Sequence, residues 1–349
     1  MGDLLIYGAS GFTGRLLVDE ARRQGLRPVV AGRALRQADA FGAAADLPRR
    51  LFGLGDPRAL ERALDGVSVV LNAAGPFSTT AGPLVAACLR RQVHYLDITG
   101  EATVIEALSA RDAEAKALGV MIMPSVGFDV VPSDCLAVHV ARAAGGADSL
   151  HLGISGLELM SRGSAKTIIE MLDKPTLGRR DGRLVTIAAT ERTFDFGRGP
   201  CRAVAVTWGD VASAYFSTGI GNVTTYFEAT PAVRVHTGMM RVFGWAIPLT
   251  PWQPLLSSLV GFLPEGPSAR ERGQREAVVV VEAERAGRVA ARARLRTPEA
   301  YSFTAESGIA IARRVLGGDL QPGFQTPARV FGPDFVLGLA RVRREELSS

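Results

Sequence analysis

Cysteine is scarce in this chain: Cys88, Cys135 and Cys201 are the three in 349 residues. They are far apart, odd in number and without CxxC spacing. That argues against a disulfide framework and a thiolate zinc site, and for a reducing compartment. Histidine is almost as rare, and His94, His139, His151 and His236 show no HExxH or other paired metal spacing. Lysine is rarer than the net charge of +5 suggests, since only Lys116, Lys166 and Lys174 stand among 40 Lys and Arg residues. The arginines are scattered and often sit beside acids, as in Arg270-Glu271-Arg272. No basic stripe with interleaved aromatics accompanies them, so no nucleic-acid partner is expected. The chain also lacks a charged n-region with a cleavable apolar segment, which makes a cytoplasmic protein the expectation. No uninterrupted apolar run reaches the ~20 residues of a membrane span.

What is present is a core-forming chain, 47% hydrophobic and long enough for two domains. From Asp3 to Met123, short apolar runs alternate with amphipathic stretches. The runs are Leu4–Tyr7, Pro28–Ala31, Val67–Asn72, Val93–Asp97 and Val120–Met123, with helical patterns around 14–24, 57–65, 80–92 and 103–118. Such alternation predicts a doubly wound α/β fold, a parallel sheet with helices on both faces.

The first run leads into Gly8-Ala9-Ser10-Gly11-Phe12-Thr13-Gly14. After a strand and before a helix, this spacing gives a tight turn, close approach of a pyrophosphate and close helix packing. The second run ends at Gly32-Arg33, where an NAD-selective site would carry an acid for the ribose hydroxyl. An arginine there suits a 2′-phosphate, so NADP is the expected cofactor, with Arg36 as a helper. Asn72, Ala73, Ala74, Gly75, Pro76 and Phe77 follow the next strand, small enough at its end to admit the riboside halves. Thr99 belongs to the following rim segment, where Asp97 and Glu101 read equally as cofactor or substrate contacts and as loop caps.

These segments, with Tyr95 to Glu101 and Gly127-Phe128-Asp129-Val130-Val131-Pro132-Ser133-Asp134, resemble the saccharopine dehydrogenase-like oxidoreductases. The similarity is greatest to the bacterial branch labelled trans-acting enoyl reductases. It extends through Ser161-Arg162-Gly163-Ser164, Trp208-Gly209-Asp210, Ser217-Thr218-Gly219 and Pro322 to Pro327, nearly the whole chain. The resemblance implies a Rossmann-type NADP domain (1–130 plus 305–349) interrupted by an inserted α+β substrate domain of mixed sheet (131–304). It also implies an NADPH-dependent reductase acting on a C=C (enoyl) or C=N (imine) bond. Lys166 stands where that family's small or polar residue is expected.

On the substrate side, Asp129, Tyr95, Ser164 and Lys166 are the candidates, and Phe128 reads as a ring against the nicotinamide. No Tyr-x-x-x-Lys pair, Ser-His-Asp set or nucleophile elbow is present. Strands are expected at 149–155, 185–188, 203–207, 224–230, 277–283 and 289–296, and helices at 164–172 and 305–316. Residues 238–263 form an apolar patch broken by Pro248, Pro251 and Pro254. Three readings compete: buried helices, a lid over a hydrophobic substrate, or a peripheral membrane contact. The partners expected are a small-molecule or carrier-bound acyl or imine substrate and, for assembly, a second copy in a homodimer. The rival reading is a non-catalytic NADP-binding redox-sensing or membrane-associated module.

Overall fold

Near-continuous apolar runs such as Val67-Ser-Val-Val-Leu-Asn72 have no polar face to turn to water, so they are stable only where helices cover both sides of a sheet. The computed structural model, which describes residues 2–33, 46–159, 161–171, 174–230 and 264–348, shows that arrangement. Its strands are β1 (Asp3–Tyr7), β2 (Val29–Gly32), β3 (Arg49–Leu51), β4 (Val67–Asn72), β5 (His94–Asp97) and β6 (Met121–Met123). A second set runs from β7 (Ser149–Ser155), β8 (Leu177–Arg180), β9 (Arg183–Thr186) and β10 (Glu191–Asp195) to β11 (Pro200–Val206) and β12 (Val223–Glu228). It continues with β13 (Glu276–Arg285) and β14 (Arg288–Pro298). Two short strands close the chain, β15 (Gly323–Phe324) and β16 (Arg343–Leu347).

The helices are α1 (Phe12–Arg23), α2 (Pro57–Arg62), α3 (Phe77–Arg91), α4 (Ala102–Ser109), α5 (Asp112–Ala117) and α6 (Val131–Ala143). They continue with α7 (Arg162–Met171), α8 (Asp210–Thr218), α9 (Ala269–Gln274), α10 (Ala300–Leu316) and α11 (Pro327–Phe331). Among the described residues no helix is long and apolar enough to cross a membrane. Arg36 and the 238–263 patch lie outside the described residues.

The first sheet is parallel throughout, in the order β15-β6-β5-β4-β1-β2-β3. This is the doubly wound order, and it reverses between β1 and β4, where open α/β sheets take their ligands. Helix α1 buries Leu17, Val18 and Ala21 on one stripe, and α10 packs on α1 and β4. Each fully buried leucine of this kind contributes ~1.5–3 kcal/mol.

Among the described residues, the second sheet runs β10-β11-β12-β7-β13-β14-β16, with β8 and β9 attached at β12. It is mixed: β7 and β12 are parallel and the other pairs antiparallel. Helix α6 leaves the end of the first sheet and packs on β13, β14 and α8, joining the two layers.

Two expectations are corrected. The helical pattern at 103–118 is broken into α4 and α5: the backbone leaves helical geometry at Arg111 (φ −93°, ψ 10°), and Asp112, opening α5, accepts from the Phe324 N–H at 2.9 Å. Residues 305–349 do not return to the first domain as a block. Strand β15 joins the first sheet, while β16 pairs with β14 at the edge of the second.

Candidate active site

At the reversal point, Gly8 sits at φ +83°, a conformation open to glycine. A Cβ there would come within 2.8 Å of the Ala74 Cβ, and one on Gly14 within 2.2 Å of the Gly8 carbonyl oxygen. The turn is therefore closed around its glycines. Gly11 caps α1 without any side-chain bond, and the first turn of α1 holds no acid. Its N–H groups, around Phe12, Thr13 and Gly14, are left for an anion. Ser10 gives its carbonyl to Arg15 Nη1 at 2.8 Å, which holds the turn in shape. Arg33 is exposed just beyond the end of β2. A dinucleotide fits this cradle: the glycines make the room a pyrophosphate needs and the helix supplies the donors.

Beside the cradle opens a cleft of about 390 Å³. It lies where the ends of β4, β5 and β6 face the ends of the parallel pair β7 and β12. Thr13, Ala73, Gly75, Pro76 and Phe77 form its cofactor-side wall. Ile154, Leu157, Trp208 and Phe227 are the apolar part of the opposite wall, which also carries Ser155, Glu158 and Glu228. Four acids line it (Glu101, Asp129, Glu158 and Glu228), and among the described lining residues there is no Lys or Arg.

Three of these acids are committed. Glu101 accepts from the Phe77 and Ser78 N–H groups at 2.7 and 3.1 Å and so caps α3. Glu158 faces Arg275 at 3.3 Å. Glu228 holds Ser155 Oγ at 2.5 Å and pairs with Arg198. Asp129 has no hydrogen-bond partner among the described residues, and burial pushes its pKa up to about 7. Gly100 makes its place, since a Cβ there would lie 2.8 Å from Asp129 Oδ2. At neutral pH a large share of this carboxyl holds a proton.

Ser164 lines the same cleft from the first turn of α7. Its Oγ is 2.7 Å from Tyr301 Oη, which also accepts from the Ser161 N–H at 2.7 Å. Tyr301 is at the start of α10, where Glu299 caps the helix through the Tyr301 and Ser302 N–H groups. One turn on, Thr304 Oγ1 accepts from the Phe128 N–H at 3.0 Å and fixes the turn that carries Asp129.

Four candidates belong to the scaffold instead of the cleft. Tyr95 is fully buried, with its hydroxyl donating to Asp97 Oδ2 at 2.9 Å and accepting from Asn72 Nδ2 at 3.1 Å. It has no path to substrate. Asn72, also fully buried, accepts from the Ala74 N–H at 3.0 Å and so shapes the Ala73–Phe77 loop from beneath. Thr99 is buried, with its Oγ1 taken by the Glu101 N–H at 3.0 Å. Phe128 packs edge-on against Phe303, 5.9 Å between centroids, and is 1% exposed, so no nicotinamide ring reaches it. The side chain of Lys166 lies outside the described part of α7.

Asp97, for which cofactor contact and capping were equally open, is a loop anchor: its Oδ1 accepts from the Thr99 and Ser125 N–H groups at 3.0 and 2.8 Å. Among the described residues no cluster of His, Cys, Asp and Glu could hold a metal ion. Tyr301 is a cleft residue that sequence reasoning passed over. Its partners stand 137 and 140 positions away, and no local spacing announces them.

Residues 4–123 match the family model of the saccharopine dehydrogenase NADP-binding domain. A trans-acting enoyl reductase of Mycobacterium leprae is 35% identical over 140 residues, 38% of this chain and 34% of that protein. A saccharopine dehydrogenase-like oxidoreductase of Homo sapiens is 28% identical over 183 residues, 45% of this chain and 43% of its own length. The chain thus spans about a third to under half of the curated relatives it matches. In fold, it is similar to the saccharopine dehydrogenase (L-Glu forming) of Saccharomyces cerevisiae, with a TM-score of 0.65 at 14% identity over 100% of both chains. The homospermidine synthase of Legionella pneumophila, solved with NAD, gives 0.66 at 10% identity over 99% of this chain and 91% of that one.

Proposed function

We propose that this chain, saccharopine dehydrogenase-like in its dinucleotide-binding part, is an NADPH-dependent reductase acting on a C=C or C=N bond of a largely apolar substrate. The observation that carries the reading is the cleft itself. Its wall opposite the dinucleotide cradle presents Ile154, Leu157, Trp208 and Phe227. Of its four acids, Asp129 is the one without a hydrogen-bond partner among the described residues, with burial pushing its pKa up to about 7.

Gly8, Ser10, Gly11, Phe12, Thr13 and Gly14 would hold the pyrophosphate, Arg33 the 2′-phosphate, and Ala73 to Phe77 the edge next to the riboside. When bound, the cofactor supplies the hydride. The protein's own part is to position, to exclude water and to provide one proton. Leu157, Trp208 and Phe227 desolvate the substrate. Asp129 gives its proton from the carboxyl oxygen to the substrate atom left electron-rich, becomes a carboxylate and regains the proton from solvent. An amino-acid imine of the saccharopine type carries carboxylates, for which the described lining offers no cation. A neutral acyl chain, free or carrier-bound, or a simple imine meets no such conflict.

The test is NADPH oxidation by the full chain against a panel of enoyl thioesters and imines. Steady turnover of an apolar member supports the reading. Tight NADPH binding with no turnover across the panel would replace it with a non-catalytic dinucleotide-binding module.

A further inference from the structure

Tyr301 lines the cleft and its hydroxyl is held at two points, yet the scheme above gives it nothing to do. The Ser161 backbone N–H can only donate, so it occupies one lone pair of Tyr301 Oη at 2.7 Å. Ser164 Oγ, also at 2.7 Å, is a rotor that donates or accepts. It belongs to a short hydroxyl chain, since Ser161 Oγ lies 3.2 Å further on and caps α7 by accepting from the Ser164 N–H at 3.2 Å. The phenol ring is pinned from the other side by Phe12, edge to face at 5.2 Å between centroids, in the turn that forms the dinucleotide cradle. Burial raises the phenol pKa, so the group stays a neutral donor.

We propose that Tyr301 is a catalytic residue. With Ser164 turned to donate to Tyr301 Oη, the tyrosine directs its own hydrogen at the polar substrate atom conjugated with the bond being reduced, for an enoyl thioester the carbonyl oxygen. Negative charge grows on that atom as the hydride arrives, and a fixed donor in a water-poor cleft stabilises it. Tyr301 keeps its proton throughout. The proton that completes the reduction is the one held on Asp129. The inference rests on the reading of this cleft as the site of reduction.

Two readouts on the full chain test it. In Tyr301→Phe, which preserves the ring contact with Phe12, kcat on any substrate the wild type turns over falls about a hundredfold or more. KM and NADPH affinity, followed by nicotinamide fluorescence, stay within threefold. Ser164→Ala, which leaves the phenol in place but frees its orientation, loses less, about three- to tenfold. The second readout needs no turnover. A carbonyl-labelled enoyl thioester bound with oxidised cofactor shows a lowered C=O stretch in infrared difference spectra of the wild type, and the lowering disappears in Tyr301→Phe. A merely structural tyrosine would lower Tm and move neither readout. Identical carbonyl stretches in wild type and variant, or a kcat within threefold of wild type, overturns the inference. A wild type without any turnover overturns the reductase reading instead, and the infrared comparison still judges Tyr301.

Discussion

The rings of Phe12 and Tyr301 meet edge to face, 5.2 Å between centroids, and tie the first turn of α1 to the first turn of α10. The Phe12 side chain thus leans on Tyr301, which lines the cleft, with the Arg272 guanidinium 5.6 Å above the Phe12 ring. Phe12→Ala removes the buttress and leaves the backbone donors. Its expected effect is a kcat about tenfold lower, since small misplacements of a catalytic group are costly, with NADPH affinity nearly retained. Steady-state kinetics beside a fluorescence titration check it. Loss of affinity with unchanged kcat would show that Phe12 serves the cofactor alone.

Arg33 stands exposed at the end of β2, where a 2′-phosphate would sit. Arg33→Ala removes a charge-assisted bond that NAD does not make. The NADP-over-NAD affinity ratio should fall roughly 10- to 100-fold, the equivalent of about 1.5–3 kcal/mol. Titration of both cofactors against wild type and variant decides it, and an unchanged ratio sinks the phosphate assignment.

The Asp129 carboxyl rises from its ordinary 3.8 to about 7 because burial disfavours the anion. With the proton bound more tightly in the folded state than in the unfolded one, the associated stability is complete below about pH 4 and is lost as pH rises through about 7. Asp129→Asn cannot ionise, so its unfolding free energy should gain on the wild type across that window. Asp97 and Asp134, both pushed up to about 6 by burial, titrate in both proteins and cancel in the difference. The wild-type kcat should fall above about pH 7, and the variant should lose that limb with 10²- to 10⁴-fold of the rate. Denaturant melts at several pH values and a pH–rate profile measure the two effects. A difference that stays flat with pH removes Asp129 as the proton holder.

Where local chemistry alone decides a conformation, the sequence reveals it. Strands β4 and β7 stand at the bounds expected, 67–72 and 149–155, the first because its apolar run needs a covered sheet and the second because its leucines and isoleucine alternate with other residues at the period of a strand. The glycine turn is legible because a positive φ at Gly8 is a demand on that residue itself. Strand β16, Arg343-Arg-Glu-Glu-Leu347, shows no alternation that would mark it as a strand. It pairs antiparallel with β14, where Arg294 and Arg296 reach Glu345 at 2.9 and 3.0 Å across the ladder. The site divides the same way. Tyr95 and Phe128 have the right chemistry in the right segments, but only packing shows that they are sealed in the core. Tyr301 has its meaning only with Ser161 and Ser164 beside it.

Arg179 on β8 is 0% exposed, and its guanidinium is fully engaged. Nε donates to the Val211 carbonyl at 2.7 Å, Nη1 to the Gly182 carbonyl at 2.6 Å, and Nη2 pairs with Glu106 on α4. Its face lies 4.4 Å from the centroid of the Tyr215 ring. Glu106 belongs to a helix of the first sheet's layer and Arg179 to the second sheet, so the pair is a joint between the layers that flank the cleft. Removing the acid leaves a buried cation with two carbonyl acceptors and no counter-charge, which costs much more than an exposed pair would. Because Glu106 is partly exposed, Glu106→Ala should lower stability by about 1–3 kcal/mol. Glu106→Gln, which keeps an acceptor, should lose less. Arg179→Met removes the charge along with its need for a partner and should fall closer to wild type than its full burial suggests. Urea melts of the three variants test this ordering, and a Glu106→Ala protein as stable as wild type would show that the pair adds nothing to the joint.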